Sequence, residues 1–126
     1  ITYTGELSED RIPHALLRAL SRLEHSNIKL QFIGNTCPEL KQEIQRLNLG
    51  NKVMLKPYMP HIASIAELQQ SDLLLLVINQ VANGKGIVPG KIFEYLGTRK
   101  PILCLGDPTG EAGEIIKTTL LYRSPQ

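Results

Sequence analysis

An uninterrupted run of six apolar residues, Leu73 to Ile78, constrains the fold of this chain more than any other feature. Strands that face solvent on one side alternate apolar and polar residues, so this run indicates a central strand that is covered on both faces. It is far shorter than the roughly 20 residues that span a bilayer. We therefore expect the chain to fold around a buried strand of a sheet.

Four more apolar runs of strand length accompany the first. The five runs start at residues 1, 28, 53, 73 and 102, which are 27, 25, 20 and 29 residues apart. Each interval holds one strand, one helix and two short loops, and strands joined by such crossovers run parallel. The predicted strands are Ile1–Thr4, Ile28–Ile33, Val53–Lys56, Leu73–Ile78 and Ile102–Leu105.

Helical stripes of apolar residues at three- and four-residue spacing fill the gaps between these runs. Pro13, Pro38 and Pro60 suit helix starts, and Gly50 suits a helix end. The stripes are Ile12, Leu16, Leu17, Leu20 and Leu23; Leu40, Ile44 and Leu47; Ile62, Ile65 and Leu68; and Ile92, Phe93 and Leu96. The sequence thus predicts one α/β domain over residues 1–126, a doubly wound, Rossmann-like parallel sheet of about five strands with helices on both faces.

Composition excludes several functional classes. The chain has 126 residues, 42% of them hydrophobic and 21% charged, as in an average soluble domain. A net charge of +2 gives no support to nucleic-acid binding. Two cysteines imply no disulfide framework and suit a reducing compartment, so we expect a cytoplasmic protein. Because the chain opens on Ile1 and runs straight into a strand, we expect it to be a piece of a longer protein.

The isolated histidines and cysteines predict no metal site. His14 and His61 lie near helix starts on the expected ligand side, where contact with a ligand competes with a surface or capping role. His25 has no metal-binding partner at the right spacing. Cys104 is expected to be a small core residue, and Cys37 precedes a helix.

The topology predicts where a ligand binds. In a sheet of strand order 3-2-1-4-5, the reversal falls between the first and fourth strands, and ligands bind there beyond the carboxyl ends. The loops at this place are Gly5–Ile12 and Asn79–Gly90, the second of which is long and rich in glycine. The helix starting near Gly90 presents free amides and a positive dipole end to an anion.

Lys91 and Glu94 indicate the kind of anion. Lys91 adds positive charge, whereas Glu94, one turn further on, suits sugar hydroxyls better than phosphate. A diphosphate linked to a sugar fits both, although Glu94 could also be a solvated residue near a helix start. A G-x-G-x-x-G fingerprint after the first strand is absent, which disfavours the alternative of an NAD- or FMN-type cofactor domain.

These residues belong to a segment, Pro89 to Leu103, that resembles the donor-binding segment of family-4-like (group 1) glycosyltransferases of the GT-B fold. That segment commonly reads Pro-Ser-Lys-x-x-Glu-Tyr-x-x-x-x-Lys-Pro-Ile. Thr4–Leu7 with Arg11 looks like the first glycine loop of the family, and Gly50 to Leu76 looks like the part that ends in a Ser-Asp-Leu-Leu-Leu strand. The resemblance covers nearly the whole chain.

The resemblance implies the C-terminal half of a two-domain enzyme that binds a nucleotide sugar, UDP- or GDP-linked, and faces an N-terminal acceptor-binding half across a cleft. Family members generally retain anomeric configuration and need no metal or other cofactor. By position, Glu94 would hold the ribose, Tyr58 would lie near the base, and Arg11 would contact the diphosphate. The implied donor-binding residues are Gly5, Arg11, Tyr58, Pro89, Gly90, Lys91 and Glu94. No residue is assigned as catalytic.

The chain departs from the family pattern at two positions. Gly86 stands where many relatives have a second glutamate, and Glu6 stands where an arginine is common. Both favour the alternative of a non-catalytic interaction module. The segment Gly106–Glu114 resembles a second loop that borders the donor, or else a turn before a helix that Asp107 or Thr109 caps. We expect the isolated domain to bind a donor without transferring the sugar. In the longer protein, a role in polysaccharide synthesis and peripheral contact with the inner face of the membrane are left open.

Overall fold

The computed structural model describes the backbone of residues 1–23, 27–79, 89–107 and 115–119, and the side chains of residues 1–23, 27–77 and 94–105. The strands are β1 (Thr2–Thr4), β2 (Leu30–Ile33), β3 (Val53–Lys56), β4 (Leu74–Asn79), β5 (Ile102–Asp107) and β6 (Ile115–Thr119). The helices are α1 (His14–Arg22), α2 (Pro38–Arg46), α3 (His61–Gln69) and α4 (Pro89–Thr98), and a single 3-10 turn covers Glu9–Arg11.

The strands form one sheet in the order β3-β2-β1-β4-β5-β6. The first five strands pair in parallel throughout, which confirms the predicted doubly wound architecture and its reversal between β1 and β4. The parallel pairing arises because each of the strands β1 to β4 is followed by a helix that returns the chain to the same edge.

The sixth strand was not predicted from the sequence. β6 pairs antiparallel with β5, with Leu105 opposite Ile116. Asp107 is the last residue of β5 rather than a helix cap, whereas residues 108–114, with Thr109, lie outside the described residues. Ile115–Thr119 is rich in β-branched residues, which favour strands.

Helices cover both faces of the sheet. β4 contributes to both cores, because Leu75 and Val77 pack on one side while Leu74 and Leu76 pack on the other. This confirms that the uninterrupted apolar run is a strand buried on both faces. The α1 and α2 side is built from Tyr3, Leu7, Ile12, Leu17, Leu20, Leu30, Phe32, Leu40, Ile44, Leu49, Val53, Leu75, Val77, Leu103 and Leu105. The α3 and α4 side is built from Leu68, Leu74, Leu76, Tyr95 and Ile102.

The helices begin where proline predicts. Pro13 and Pro60 directly precede α1 and α3, and Pro38 is the first residue of α2. Two residues of the predicted apolar stripes are exposed: Ile62, in the first turn of α3, is 83% exposed, and Leu23, directly after α1, is 43% exposed. Leu68, near the end of α3, is fully buried. Within the described ranges, no helix is both long and apolar enough to cross a membrane.

Candidate functional site

The loops after β1 and β2 continue the sheet beyond its regular strands. The Gly5 N–H donates to the Ile33 carbonyl (2.9 Å) and the Leu7 N–H to the Asn35 carbonyl (2.9 Å). The Cys37 N–H then donates back to the Leu7 carbonyl (3.0 Å). These bonds fix the first glycine loop against its neighbour at the carboxyl edge, where the topology predicts a ligand.

Two glycines make this close approach of the loops possible. Gly5 and Gly34 have φ angles of 114° and 137°, which side chains strongly disfavour. A Cβ added at Gly34 would lie only 2.5 Å from the Gly5 carbonyl oxygen. At these two glycines only main chain faces the expected ligand, so a ligand can approach closely there.

Tyr95 anchors α4 at the reversal of the sheet. β1 and β4 pair only through Thr2 and Leu74. Beyond that point the buried Tyr95 hydroxyl connects them, donating to the Leu75 carbonyl (2.8 Å) and accepting from the Thr4 N–H (3.3 Å). Burial raises the pKa of Tyr95, so the phenol keeps the proton that it donates. This anchor fixes the backbone of the preceding residue of α4, Glu94, at the reversal of the sheet.

A cleft of about 600 Å³ opens at this edge. It lies between the two glycine loops, the segment after β3, the first turns of α3, and Glu94 of α4. Its lining residues are Thr4, Gly5, Glu6, Ile33, Gly34, Asn35, Tyr58, Met59, His61, Ser64 and Glu94. The cleft thus occupies the expected place and includes three of the seven predicted donor-binding residues: Gly5, Tyr58 and Glu94.

The other predicted site residues are distributed differently. Pro89, Gly90 and Lys91 form the first turn of α4, so the helix starts where the resemblance implies, but their side chains lie outside the described residues. Arg11 does not line the cleft. Its guanidinium contacts the Tyr3 hydroxyl and opposes the rise that burial causes in the pKa of Tyr3. Within the described part of the chain, the buried Arg11 Nε has no hydrogen-bond partner.

Of the two histidines that the structure describes, His61 lines the cleft. His14 instead lies 3.6 Å, through its Nδ1, from Oε2 of Glu43 on α2, away from the cleft. His25 lies outside the residues that the structure describes, as do Gly86 and the rest of the loop 80–88.

His61 faces Glu94 across the cleft mouth. The His61 Nδ1 lies 3.3 Å from the Glu94 Oε2, and the side chains are 66% and 37% exposed. Sequence patterns do not predict this contact, since the two residues are far apart along the chain. Gly34, Asn35 and Ser64 were also missed, although a glycine directly after a strand, as at Gly34, is a usable signal for a close approach of two loops.

Carboxylates and the His61 imidazole line the described part of the cleft. Besides Glu94, the exposed Glu6 contributes a second carboxylate. Among the described residues, no group of three or more His, Cys, Asp or Glu side chains could hold a metal ion. Because two carboxylates repel a bare phosphate, the cleft itself suits a ligand that presents hydroxyl groups to Glu94.

Comparison with known proteins agrees with this architecture. The structure is similar to the crystal structure of Anabaena Alr3699/HepE in complex with UDP and glucose, with a TM-score of 0.62 and 21% sequence identity. The similarity covers 80% of this chain and 28% of that one, so the chain spans less than a third of its structural neighbour. No curated protein sequence matches the chain significantly.

The sequence model of the family described as "Glycosyl transferases group 1" matches residues 1–118, nearly the whole chain. This match confirms the resemblance drawn from the segment that contains Lys91, Glu94 and Tyr95, and the structural neighbour confirms the Rossmann-like fold. The chain therefore belongs to the group 1 glycosyltransferases.

Proposed function

We propose that this chain is the donor-binding half of a retaining, metal-independent glycosyltransferase. It binds a UDP- or GDP-linked sugar in the cleft at the sheet reversal, and a separate acceptor-binding domain of the longer protein completes the active site. The observation that carries the proposal is the position of Glu94, a half-exposed carboxylate facing a cleft walled by glycine main chain.

Glu94 is the residue proposed to bind the ribose. A carboxylate has two oxygens that accept hydrogen bonds, which matches the paired hydroxyls of a ribose. Phosphate oxygens would be repelled at the same place, because both groups are anionic. The hydrogen bonds of the Tyr95 hydroxyl to two main-chain groups support this role, since they fix the backbone of Glu94 before any ligand binds.

The diphosphate is proposed to lie at the start of α4. The amides of Gly90 and Lys91, in the first turn, have no partners inside the helix and carry the positive end of its dipole. Lys91 would add a full charge there, and Arg11 would need to turn from Tyr3 to reach the same oxygens. These groups would stabilise the leaving diphosphate while the sugar passes through an oxocarbenium-like state.

Tyr58 is proposed to lie beside the base. It follows β3, lines the cleft, and exposes 71% of its surface, so its ring is accessible for stacking on a base. The structural neighbour was crystallised with UDP and glucose, which supports a nucleoside diphosphate and a sugar as the ligand class. The chain has two cysteines, which imply no disulfide framework, and this supports action in the cytoplasm.

The experiment is a calorimetric titration of the chain with UDP, GDP, ADP and CDP. We expect saturable binding of at least one of them. Glu94→Ala should weaken that binding roughly 10- to 100-fold, because one or two hydrogen bonds to a charged acceptor are lost.

The matched control is Glu43→Ala, which removes a helix glutamate that also contacts a histidine but lies outside the cleft. This variant should bind as tightly as the wild type. If no nucleoside diphosphate binds, or if Glu94→Ala binds equally well, the proposal is wrong. Saturable binding of NADH or FMN instead would favour a redox cofactor domain.

A further inference from the structure

The contact between His61 and Glu94 joins two helices at the cleft mouth. His61 is the first residue of α3, and Glu94 lies in the second turn of α4. Their side chains approach to 3.3 Å through Nδ1 and Oε2, and both line the cleft. The helices themselves pack against each other, so rigid elements hold the backbones of the two residues near each other.

This contact divides the carboxylate of Glu94 between two tasks. Nδ1 carries a proton in the imidazolium and in one neutral tautomer, and in both forms it can donate to Oε2. The other oxygen, Oε1, is then left for a ligand. A glutamate side chain loses much rotamer freedom when it is immobilised, and a partner that holds it beforehand reduces that loss on binding.

The pair contributes little to folding, because His61 is two-thirds exposed and ion pairs in water are weak. Its effect increases when a ligand covers the cleft and excludes water, since hydrogen bonds to charge strengthen as the local dielectric falls. The contact is therefore suited to assist ligand binding rather than stability.

We propose that His61 is a positioning residue that orients Glu94 for the ribose and so favours ribonucleotides over nucleotides without sugar hydroxyls. The inference rests on the proposed function of Glu94 and adds a residue to it. His61 acts through Glu94 and needs no contact with the ligand.

The test compares the tightest-binding diphosphate among UDP, GDP, ADP and CDP with its 2′,3′-dideoxy analogue. His61→Leu should weaken binding of the ribonucleotide about three- to tenfold and leave binding of the dideoxy analogue unchanged. His61→Asn should restore the ribonucleotide affinity, because its amide N–H occupies nearly the position of Nδ1. In a Glu94→Ala background, His61→Leu should have no further effect.

The matched control is His14→Leu, since His14 also begins a helix and faces a glutamate, but outside the cleft. It should change neither affinity. Equal weakening of both ligands by His61→Leu, or no weakening of either, overturns the inference while the proposed function stands if Glu94→Ala still weakens binding. Failure of the wild-type chain to bind any of the four diphosphates overturns both.

Discussion

The two faces of the sheet are packed by different kinds of side chain. Under α1 and α2, aliphatic side chains and the Tyr3 and Phe32 rings, 5.7 Å apart, form a continuous apolar core. Under α3, the sheet presents polar groups beside a smaller apolar cluster. The Thr2 and Ser71 hydroxyls lie 2.5 Å apart, and the Gln31 amide donates to Thr2 Oγ1 (2.9 Å).

The polar layer extends to the edge of the sheet. The Gln31 amide also donates to the Glu67 carboxylate (3.3 Å), which lies 3.6 Å from the Lys56 ammonium. Hydrogen bonds depend on direction, whereas apolar burial does not. Because the α1 and α2 face buries the larger apolar cluster, we expect it to contribute most of the free energy of unfolding. The second face, which carries His61 and Glu94, fixes how its helices are placed relative to the strands.

This layer also explains why Ile62 is exposed. α3 meets the sheet through Glu67 and Leu68 in its second half, while its first turn lines the cleft. An apolar residue at the cleft rim has no core to enter.

The largest expected loss of stability comes from a substitution in the apolar core under α1 and α2. Phe32→Ala should lower the free energy of unfolding by about 3–5 kcal/mol, because it leaves a cavity where a fully buried ring packs. Urea denaturation measures this loss. Leu55→Ala, directly across the β2–β3 ladder at a partly exposed position, should cost no more than about 1 kcal/mol. Equal losses for the two variants would contradict the assignment of stability to this face.

A smaller effect is expected at the glycine wall. Gly34→Ala should lower stability by about 2–4 kcal/mol, because its Cβ collides with the Gly5 carbonyl and its φ of 137° strains an L-residue. Thermal unfolding measures the change. Gly97→Ala is the control, since Gly97 lies in α4 with open space around it, and there alanine should be neutral or stabilising by up to about 1 kcal/mol. A tolerated Gly34→Ala would show that the loops can separate freely.

The smallest stability change is expected at the hydroxyl between β1 and β4. Tyr95→Phe should cost about 1–3 kcal/mol, because the Thr4 N–H and the Leu75 carbonyl lose a buried partner. Hydrogen exchange at the Thr4 amide should accelerate as well. Tyr58→Phe, at an exposed ring, should leave both measurements unchanged. An unchanged exchange rate at Thr4 in Tyr95→Phe would mean that the anchor is not needed to hold β1.

Much of this arrangement could be predicted from sequence because it depends on local patterns. The run Leu73 to Ile78 and the spacing of the other strands predicted a parallel sheet and its reversal, and proline predicted the helix starts. The Lys91–Tyr95 pattern indicated the family. The antiparallel β6 was missed although Ile115–Thr119 is rich in β-branched residues. The alternation of strands and helices earlier in the chain predicts a further helix at this place rather than a hairpin.

The sequence by itself determined the fold class, the family and the edge of the sheet where the cleft lies, since these follow from periodicity and from motifs of adjacent residues. Only the tertiary structure decided which side chains share the cleft. It paired His61 with Glu94, opposed Gly34 to Gly5, and turned Arg11 toward Tyr3. Those contacts join residues on different elements. The distances between these residues depend on how rigid helices and strands pack rather than on the order of the elements along the chain.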